Sequence, residues 1–242
     1  AEIVRELAGD PAREAIAATA VTSLAAHAGV EAVGTPAAYA LAGRRFRGRS
    51  LVLSLIELPL VLPPAVAGIG LLAAFGSQGL LGGALEVAGV RVPFTQAAVV
   101  MAVVFVSSPF YVRGAISAFE SVDPSITEAA RTLGAGPWRV FRRVALPLAA
   151  GGLGAGSTLA FARGVGEFGA TIIFAGSFPG RTETLSLAIY AELDRDLDTA
   201  LAIGALLVAL SVAILVSSKV IGRWRSESRS PSPSGPSPST WR

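Results

Sequence analysis

Residues 128–147 read EAARTLGAGPWRVFRRVALP, and they interrupt a chain that is apolar on both sides of them. The segment carries four arginines and two glycines, which is typical of a structured loop at a membrane surface rather than of a span. Ser125 or Thr127 is predicted to cap a short helix here, and Gly134 to end it in the left-handed conformation. Its narrow apolar face would consist of Ala129, Ala130 and Leu133.

The composition places the chain among membrane proteins. Hydrophobic residues make up 52% and charged residues 15%, against about 45–50% and about 25% in soluble domains, and the mean hydropathy is +0.61. Cysteine is absent and His27 is the only histidine, which excludes disulfides, thiolate chemistry and a histidine-based metal cluster. The net charge of +3 is spread along the chain, so nucleic-acid binding is not indicated.

Five apolar runs are each long enough for the ~20 residues that a bilayer core requires. They predict an all-α, polytopic transmembrane helix bundle in a domain at 15–222. The predicted spans are roughly 15–43, 50–76, 94–116, 148–176 and 197–221.

The basic residues alternate between the connecting segments and predict the orientation. Segments 44–49 and 113–147 and the end of the chain carry fourteen basic residues, the opposite side carries five, and Arg163 lies inside a span. The positive-inside rule puts the loop 119–147 in the cytoplasm and the segment 1–14 outside. An outside N-terminus predicts a sixth span before this chain, and the alternative is a five-span protein whose N-terminus lies outside. The Ser/Pro-rich tail 223–242 is predicted to be a disordered cytoplasmic extension.

Glu128-Ala129-Ala130, followed after three residues by Gly134, resembles the EAA loop of binding-protein-dependent ABC importer permeases. Four further stretches are similar to the molybdate/tungstate branch of that family. Sulfate/thiosulfate permeases share the loop and a related acidic-aromatic-glycine segment, so a sulfate/thiosulfate permease is the alternative. The four stretches are LPLVLPPAVAGIGLL (58–72), FVSSPFYVRGAISAFESVDP (105–124), GEFGAT (166–171) and PGRTETL (179–185).

The resemblance implies a fold like that of type I ABC importer permeases and a homodimer with the pathway on its twofold axis. It also implies two cytoplasmic ABC ATPases, and a periplasmic or lipid-anchored molybdate-binding protein, in a bacterial or archaeal cytoplasmic membrane. No G-x-x-x-x-G-K-[ST] occurs in the chain, so no cofactor is expected here, and ATP, Mg and hydrolysis are assigned to the partner ATPase. The residues implied in ATPase coupling are Glu128, Ala129, Ala130, Arg131, Leu133, Gly134 and Arg139.

Arg163 and Glu167 are spaced i, i+4, which puts them on one face of a continuous helix. If that span starts near Leu148, Arg163 lies about 22 Å along it, beyond the midplane of a ~30 Å core. Two interpretations remain open, a buried ion pair that joins helices and a role in lining an anion path. Phe168 is expected either to plug the path or to pack only within its own subunit. The predicted path residues are Ser107, Ser108, Arg163, Gly166, Glu167, Phe168, Gly169 and Thr171.

Other residues in the spans carry smaller predictions. Prolines in the second span are expected to kink it. The hydroxyls of Ser107 and Ser108 are expected to bond either an oxyanion or the backbone freed by Pro109. Glu57 is expected to form an interfacial salt bridge near the 44–49 arginines, and His27 with Glu31 a local pair rather than a proton relay. The prolines in question are Pro59, Pro63 and Pro64.

Two other classes of membrane protein compete with the ABC permease. An ion-coupled secondary transporter would use intramembrane acids, but it would leave the 128–147 loop unexplained. A membrane-anchored scaffold would use the basic loops, but five close spans without a sizeable soluble domain argue against it. Both alternatives are weaker than the permease.

Overall fold

A computed structural model of the chain describes residues 10–44 and 46–227, which are largely helical and contain no β-strand. The prediction of an all-α bundle is therefore confirmed. In chain order the helices are α1 Asp10–Ala42, α2 Arg49–Val61, α3 Pro64–Phe75, α4 Gly82–Val87, α5 Gln96–Glu120, α6 Pro124–Thr132, α7 Pro137–Val140, a π-helical turn Phe141–Ala145, α8 Leu146–Val165, α9 Gly169–Phe174, α10 Leu185–Glu192 and α11 Leu197–Glu227.

Helix α5 lies at the centre of the bundle and contacts α1, α2, α3, α8 and α9. Thr95 caps its start, because the Thr95 hydroxyl accepts a hydrogen bond from the Ala98 amide. Its apolar and small side chains bury against neighbours in two clusters, one around Tyr111 and Phe141 and one around Val99 and Phe174. A hydrophobic helix that is contacted on most sides is expected at the core of a bundle.

Four helical ranges are long and apolar enough to cross a membrane, namely Arg13–Ala42, Gln96–Glu120, Pro137–Val165 and Leu197–Ser217. The predicted second span, 50–76, is not one helix, because the chain bends by 117° between α2 and α3. The break falls at Leu62 and Pro63, where a prolyl nitrogen has no hydrogen to donate and Pro64 takes the first position of the next helix. If the bent pair counts as one span, the described residues contain up to five.

Two predicted boundaries are wrong. The predicted span 148–176 begins earlier, at Pro137, and ends at Val165, because residues 166–168 leave the helix before α9 starts. The last helix continues to Glu227, so residues 223–227 of the predicted disordered tail are helical. The rest of the tail, 228–242, and residues 1–9 of the predicted outer segment lie outside the described residues.

Small residues allow α5 and α8 to approach each other closely. A Cβ built on Gly152 would lie 2.6 Å from the Cβ of Ala118, and a Cβ built on Gly114 would lie 3.0 Å from the Cα of Gly156. The Gly152-x-x-x-Gly156 spacing thus serves as a packing motif, in which backbone contacts replace side chains.

Gly152→Ala should destabilise this contact, because the new methyl group would overlap Ala118. Overpacking of this kind costs about 1–3 kcal/mol, and thermal unfolding in detergent would measure it as a lower Tm. Gly151→Ala is the matched control, since it adds the same methyl group to the same helix with nothing within 4 Å. Equal Tm values for the two variants would contradict the packing assignment.

Candidate functional site

Helix α6 is capped by Asp123, not by Ser125 or Thr127 as predicted. The Ser125 amide donates a 2.9 Å hydrogen bond to Oδ1 of Asp123, and Pro124 occupies the first helical position. This backbone hydrogen bond lowers the pKa of Asp123. The Thr127 hydroxyl donates instead to the Pro124 carbonyl. An Asp-Pro start was visible in the sequence, because Asp favours the N-cap and Pro the position after it.

The other end of α6 closes at Gly134, as predicted. Gly134 has φ +83°, in the left-handed region that favours glycine. Its amide donates to the Arg131 carbonyl at 2.9 Å, and the Ala135 amide donates to the Ala130 carbonyl at 3.0 Å. This pair of bonds is the Schellman arrangement, which satisfies carbonyls that the helix end would leave free.

An apolar stripe on α6 is largely exposed within the part of the chain that the structure describes. Ile126, Ala129, Ala130 and Leu133 recur at i, i+3, i+4 and i+7, so they share one face. Leu133 is 87% exposed and Ile126 is 45% exposed. Ile126 extends the face that the sequence analysis had assigned to the other three residues. Charged side chains that are exposed around this stripe are Glu128, Arg131 and Arg139.

An aromatic cluster attaches the loop to the ends of the spans. The ring of Phe141, in the π-helical turn, lies 4.8 Å from that of Tyr39 in α1 and 5.3 Å from that of Trp138 in α7. Tyr39 in turn contacts Phe119 of α5 at 5.2 Å. Each such pair contributes about 0.5–1.5 kcal/mol beyond area burial. No local sequence pattern predicts this cluster, because its members come from distant parts of the chain.

The predicted path residues at the far end of α8 surround a helix break. Because α8 ends at Val165, Glu167 does not share a helix face with Arg163 as predicted, yet the two side chains still form an ion pair at 2.8 Å. The Glu167 side chain is only 1% exposed. Its Oε1 also accepts a 2.8 Å hydrogen bond from the Ala170 amide, in the first turn of α9. One carboxylate therefore neutralises a cation and caps a helix.

The two glycines of the break differ in their surroundings. A Cβ on Gly169 would lie 2.6 Å from Pro64, where α3 begins, whereas a Cβ on Gly166 would meet nothing within 4 Å. Thr171 of α9 is fully buried, and within the described residues its hydroxyl has no hydrogen-bond partner. Gly169 thus permits the close approach of α9 to the bent α2–α3 pair.

Phe168 and the two serines contact residues of their own chain. The Phe168 ring lies 5.2 Å from that of Tyr190 in α10. Ser107 is buried and donates to the Val103 carbonyl at 2.7 Å, and Ser108 donates to the Phe105 carbonyl at 3.3 Å. Both hydroxyls bond to the backbone of their own helix rather than point at an open path.

Two of the four stretches that carry the molybdate-branch resemblance are linked through the residue that directly follows one of them. Ser186, next to PGRTETL, donates a 2.7 Å hydrogen bond to the Glu167 carbonyl in GEFGAT. Thr182 accepts from the Phe178 amide and donates to the Gly176 carbonyl, both at 3.1 Å, and so closes the turn between them. Sequence reasoning missed these hydroxyls, because threonine and serine bond in so many settings that their pattern is uninformative.

Two predicted side-chain pairs are present. His27 and Glu31 pair locally, with 3.2 Å between Nε2 and Oε1, as predicted. Glu57 forms a salt bridge at 3.4 Å, and its partner is Arg113 of α5. Arg49 of the 44–49 segment contacts Glu120 at 2.8 Å. Both contacts join α2 to α5, so they fix the bent pair to the central helix.

Several membrane-length helices, an internal helix break and an exposed, capped helix between two spans define a polytopic membrane transport subunit. The chain belongs to the family described as binding-protein-dependent transport system inner membrane component, whose model matches residues 34–226. It is thus a multi-pass inner-membrane permease.

Among its relatives is the molybdenum transport system permease protein ModB of Mycobacterium tuberculosis, which is 47% identical over 76% of this chain and 70% of its own length. ModB of Escherichia coli K12 is 42% identical over 74% and 78%. The E. coli sulfate transport system permease protein CysT is 40% identical over 74% and 65%.

Two solved structures share the fold at low sequence identity. A bacterial alginate ABC transporter, in complex with an alginate-bound periplasmic protein, matches with a TM-score of 0.72 and 17% identity over 93% of this chain and 82% of its own. The MetNI methionine ABC transporter in an inward-facing conformation matches with a TM-score of 0.65 and 20% identity over 91% and 94%. The expected ABC importer permease fold is confirmed.

Gly134→Ala should loosen the end of α6, because a left-handed conformation costs an L-residue roughly 1–2 kcal/mol. Amide hydrogen exchange at residues 134 and 135 should accelerate at least about fivefold. Gly136→Ala is the control, since both glycines have open space around them and only Gly134 has a positive φ. Unchanged exchange in Gly134→Ala would contradict the capping role.

Proposed function

We propose that this chain is the membrane-spanning subunit of an ATP-driven importer that carries molybdate, or the closely related tungstate, into a bacterial or archaeal cell. The observation that carries the proposal is the identity to molybdenum permeases over three-quarters of the chain. That stretch includes both the α6 loop and most of the helix break. Sulfate is the second candidate cargo, because a sulfate permease is nearly as similar.

The proposed partners are argued from two exposed surfaces, the apolar stripe of α6 and helix α2. The apolar stripe of α6 supports docking of an ABC ATPase, since an exposed Leu133 gains from burial in a complementary groove. Helix α2 has no buried residue, which supports a homodimer in which a second copy covers part of it. An extracytoplasmic binding protein would deliver the anion, and each partner ATPase would hold ATP and Mg.

Motion at the docking helix would reach the pathway through α8. Helix α6 contacts α7 and the π-helical turn, and the range Pro137–Val165 continues for 29 residues, or about 43 Å at 1.5 Å per residue. At its far end lie Arg163 and the break held by Glu167. When the two ATPases close on ATP, paired α8 helices would move and rearrange this break.

The path itself is proposed to pass the break. The Arg163 side chain is 30% exposed beside a buried Glu167, which supports a role for it in meeting an anion. Glu167 acts here as a positioning residue, because its carboxylate would repel an anion. The contact between Phe168 and Tyr190 supports a packing role for Phe168 within one subunit rather than a plug.

Reconstituted permease, ATPase and binding protein should hydrolyse ATP faster when molybdate or tungstate is added than when sulfate is added. The measurement is ATPase stimulation in proteoliposomes, with uptake of each anion followed in competition. Stimulation by sulfate alone would replace molybdate with sulfate as the cargo. Uptake that survives ATP depletion but stops with an uncoupler would indicate a secondary transporter instead.

Leu133→Asp should weaken ATPase binding, because a charge would replace the most exposed apolar side chain of the stripe. Loss of a central contact costs about 2 kcal/mol or more, which corresponds to a roughly thirtyfold weaker affinity. Co-purification yield and a titration with purified ATPase would measure it. Ser125→Asp adds the same charge at the start of the same helix, where it is favourable, and should bind normally. Equal affinities for both variants would reject docking through the stripe.

A further inference from the structure

Arginines from two distant segments collect at the end of the bundle where the 128–147 loop is attached. Segments 44–49 and 119–147 together hold eight arginines and three acidic residues. The structure brings the segments together, because Arg49 donates to the Leu41 carbonyl at 3.1 Å and contacts Glu120 at 2.8 Å. This end of the bundle therefore carries a surplus of positive charge that its own acids do not neutralise.

Arg142 and Arg143 form the outer side of the π-helical turn. Phe141 and Ala145 of the same turn are buried against the bundle, whereas both arginines between them are exposed. Among the described residues, neither guanidinium takes part in an ion pair. An exposed guanidinium without a counter-charge has a full set of donors for a phosphate.

Arg44 and Arg47 flank the same aromatic contact from the end of α1. Tyr39, in the last turn of α1, packs its ring 4.8 Å from that of Phe141, and the chain leaves α1 just after it. Both arginines are exposed, and within the described ranges they too form no ion pair. The two pairs of arginines are thus held on either side of one cluster.

Exposed apolar side chains continue from each pair of arginines along the adjoining span. On α8, Leu148 and Leu159 are 45% and 51% exposed, and their spacing of eleven residues puts them on nearly the same face. On α2, Leu51 and Leu55 are 63% and 60% exposed. Arginines at the end of an exposed apolar helix face are typical of the level at which lipid headgroups lie.

We propose that Arg142 and Arg143, with Arg44 and Arg47 beside them, bind the headgroup phosphate of an anionic phospholipid in the cytoplasmic leaflet. The charges are complementary, because anionic lipids of that leaflet attract basic segments next to a span. The acyl chains would lie against the exposed face of α8.

The bound lipid would hold the base of the 128–147 loop at the membrane surface. Trp138, whose ring is 67% exposed and lies 5.3 Å from that of Phe141, is suited to the same interfacial level. The α8 face is the principal one, since part of α2 is assigned to a second copy of the chain. The proposal depends neither on which oxyanion is carried nor on ATPase docking.

The test measures lipid binding to the full-length permease in mixed micelles. Native mass spectrometry would give its affinities for phosphatidylglycerol and for phosphatidylcholine, and wild type should bind phosphatidylglycerol more tightly. Arg142→Gln and Arg143→Gln should each weaken phosphatidylglycerol binding about fivefold, and leave phosphatidylcholine binding unchanged. The double lysine variant should keep most of the preference, because an ammonium still binds phosphate.

Arg181→Gln is the matched control. Arg181 is also exposed and without an ion pair among the described residues, but it belongs to the segment that the positive-inside rule puts outside. Its loss should leave phosphatidylglycerol binding as in wild type. Equal wild-type affinities for the two lipids overturn the site. So does an equal loss in Arg181→Gln, or a lysine variant as weak as the glutamine variants.

A second arm tests the two other occupants that the arginines could take. Glycerol 3-phosphate in excess should not displace phosphatidylglycerol, because it lacks the acyl chains that pack on α8. Displacement would mean a soluble anion site and would overturn the assignment to lipid. Purified ATPase should bind the glutamine variants as it binds wild type. Weaker ATPase binding with unchanged lipid affinity would assign these arginines to the ATPase and overturn the proposal.

Discussion

The Glu167 carboxylate allows helix α8 to end at Val165, before the helix break. Without water in a bilayer core, every amide freed by a break needs an internal acceptor. Glu167 supplies one to α9 and neutralises Arg163 with its second oxygen. The start of α10 is attached to the same residue, because the Ser186 hydroxyl donates to the Glu167 carbonyl. It is also attached to α1, because the Leu185 amide donates to the Thr19 hydroxyl. Without this acid, the first turn of α9 would lose its cap and Arg163 would lose its counter-charge.

Hydropathy alone predicts the bundle but not the continuity of its helices. The runs 50–76 and 148–176 stay apolar across their breaks, so an average over a window cannot detect that the backbone turns inside them. Proline indicates the first break in the sequence, because Pro63 and Pro64 have no backbone N–H to donate to the hydrogen bonds of a helix. Glycine marked the second less clearly, since Gly166 and Gly169 are equally compatible with tight packing in an unbroken helix. At the break, Gly169 lies directly against Pro64, a tertiary contact that the sequence does not show.

The 128–147 loop was more predictable than the helix break, because its signals are local. The left-handed Gly134 and the apolar spacing on α6 follow from short-range rules. The aromatic cluster of Tyr39, Phe119, Trp138 and Phe141 follows from none of them, as it depends on three helix ends meeting. The serines of α5 illustrate the same limit, because a hydroxyl in a helix has its own backbone as a ready acceptor.

The π-helical turn at Phe141–Ala145 has a geometric consequence for how the loop faces its surroundings. Such a turn is an α-helix that holds one surplus residue. Removing that residue would restore regular winding and swing everything before it by about 100° around the axis of α8. Phe141 would then leave Tyr39 and Phe119, and the stripe on α6 would point in another direction. The direction in which α6 faces around the axis of α8 therefore depends on a single additional residue in the π-helical turn.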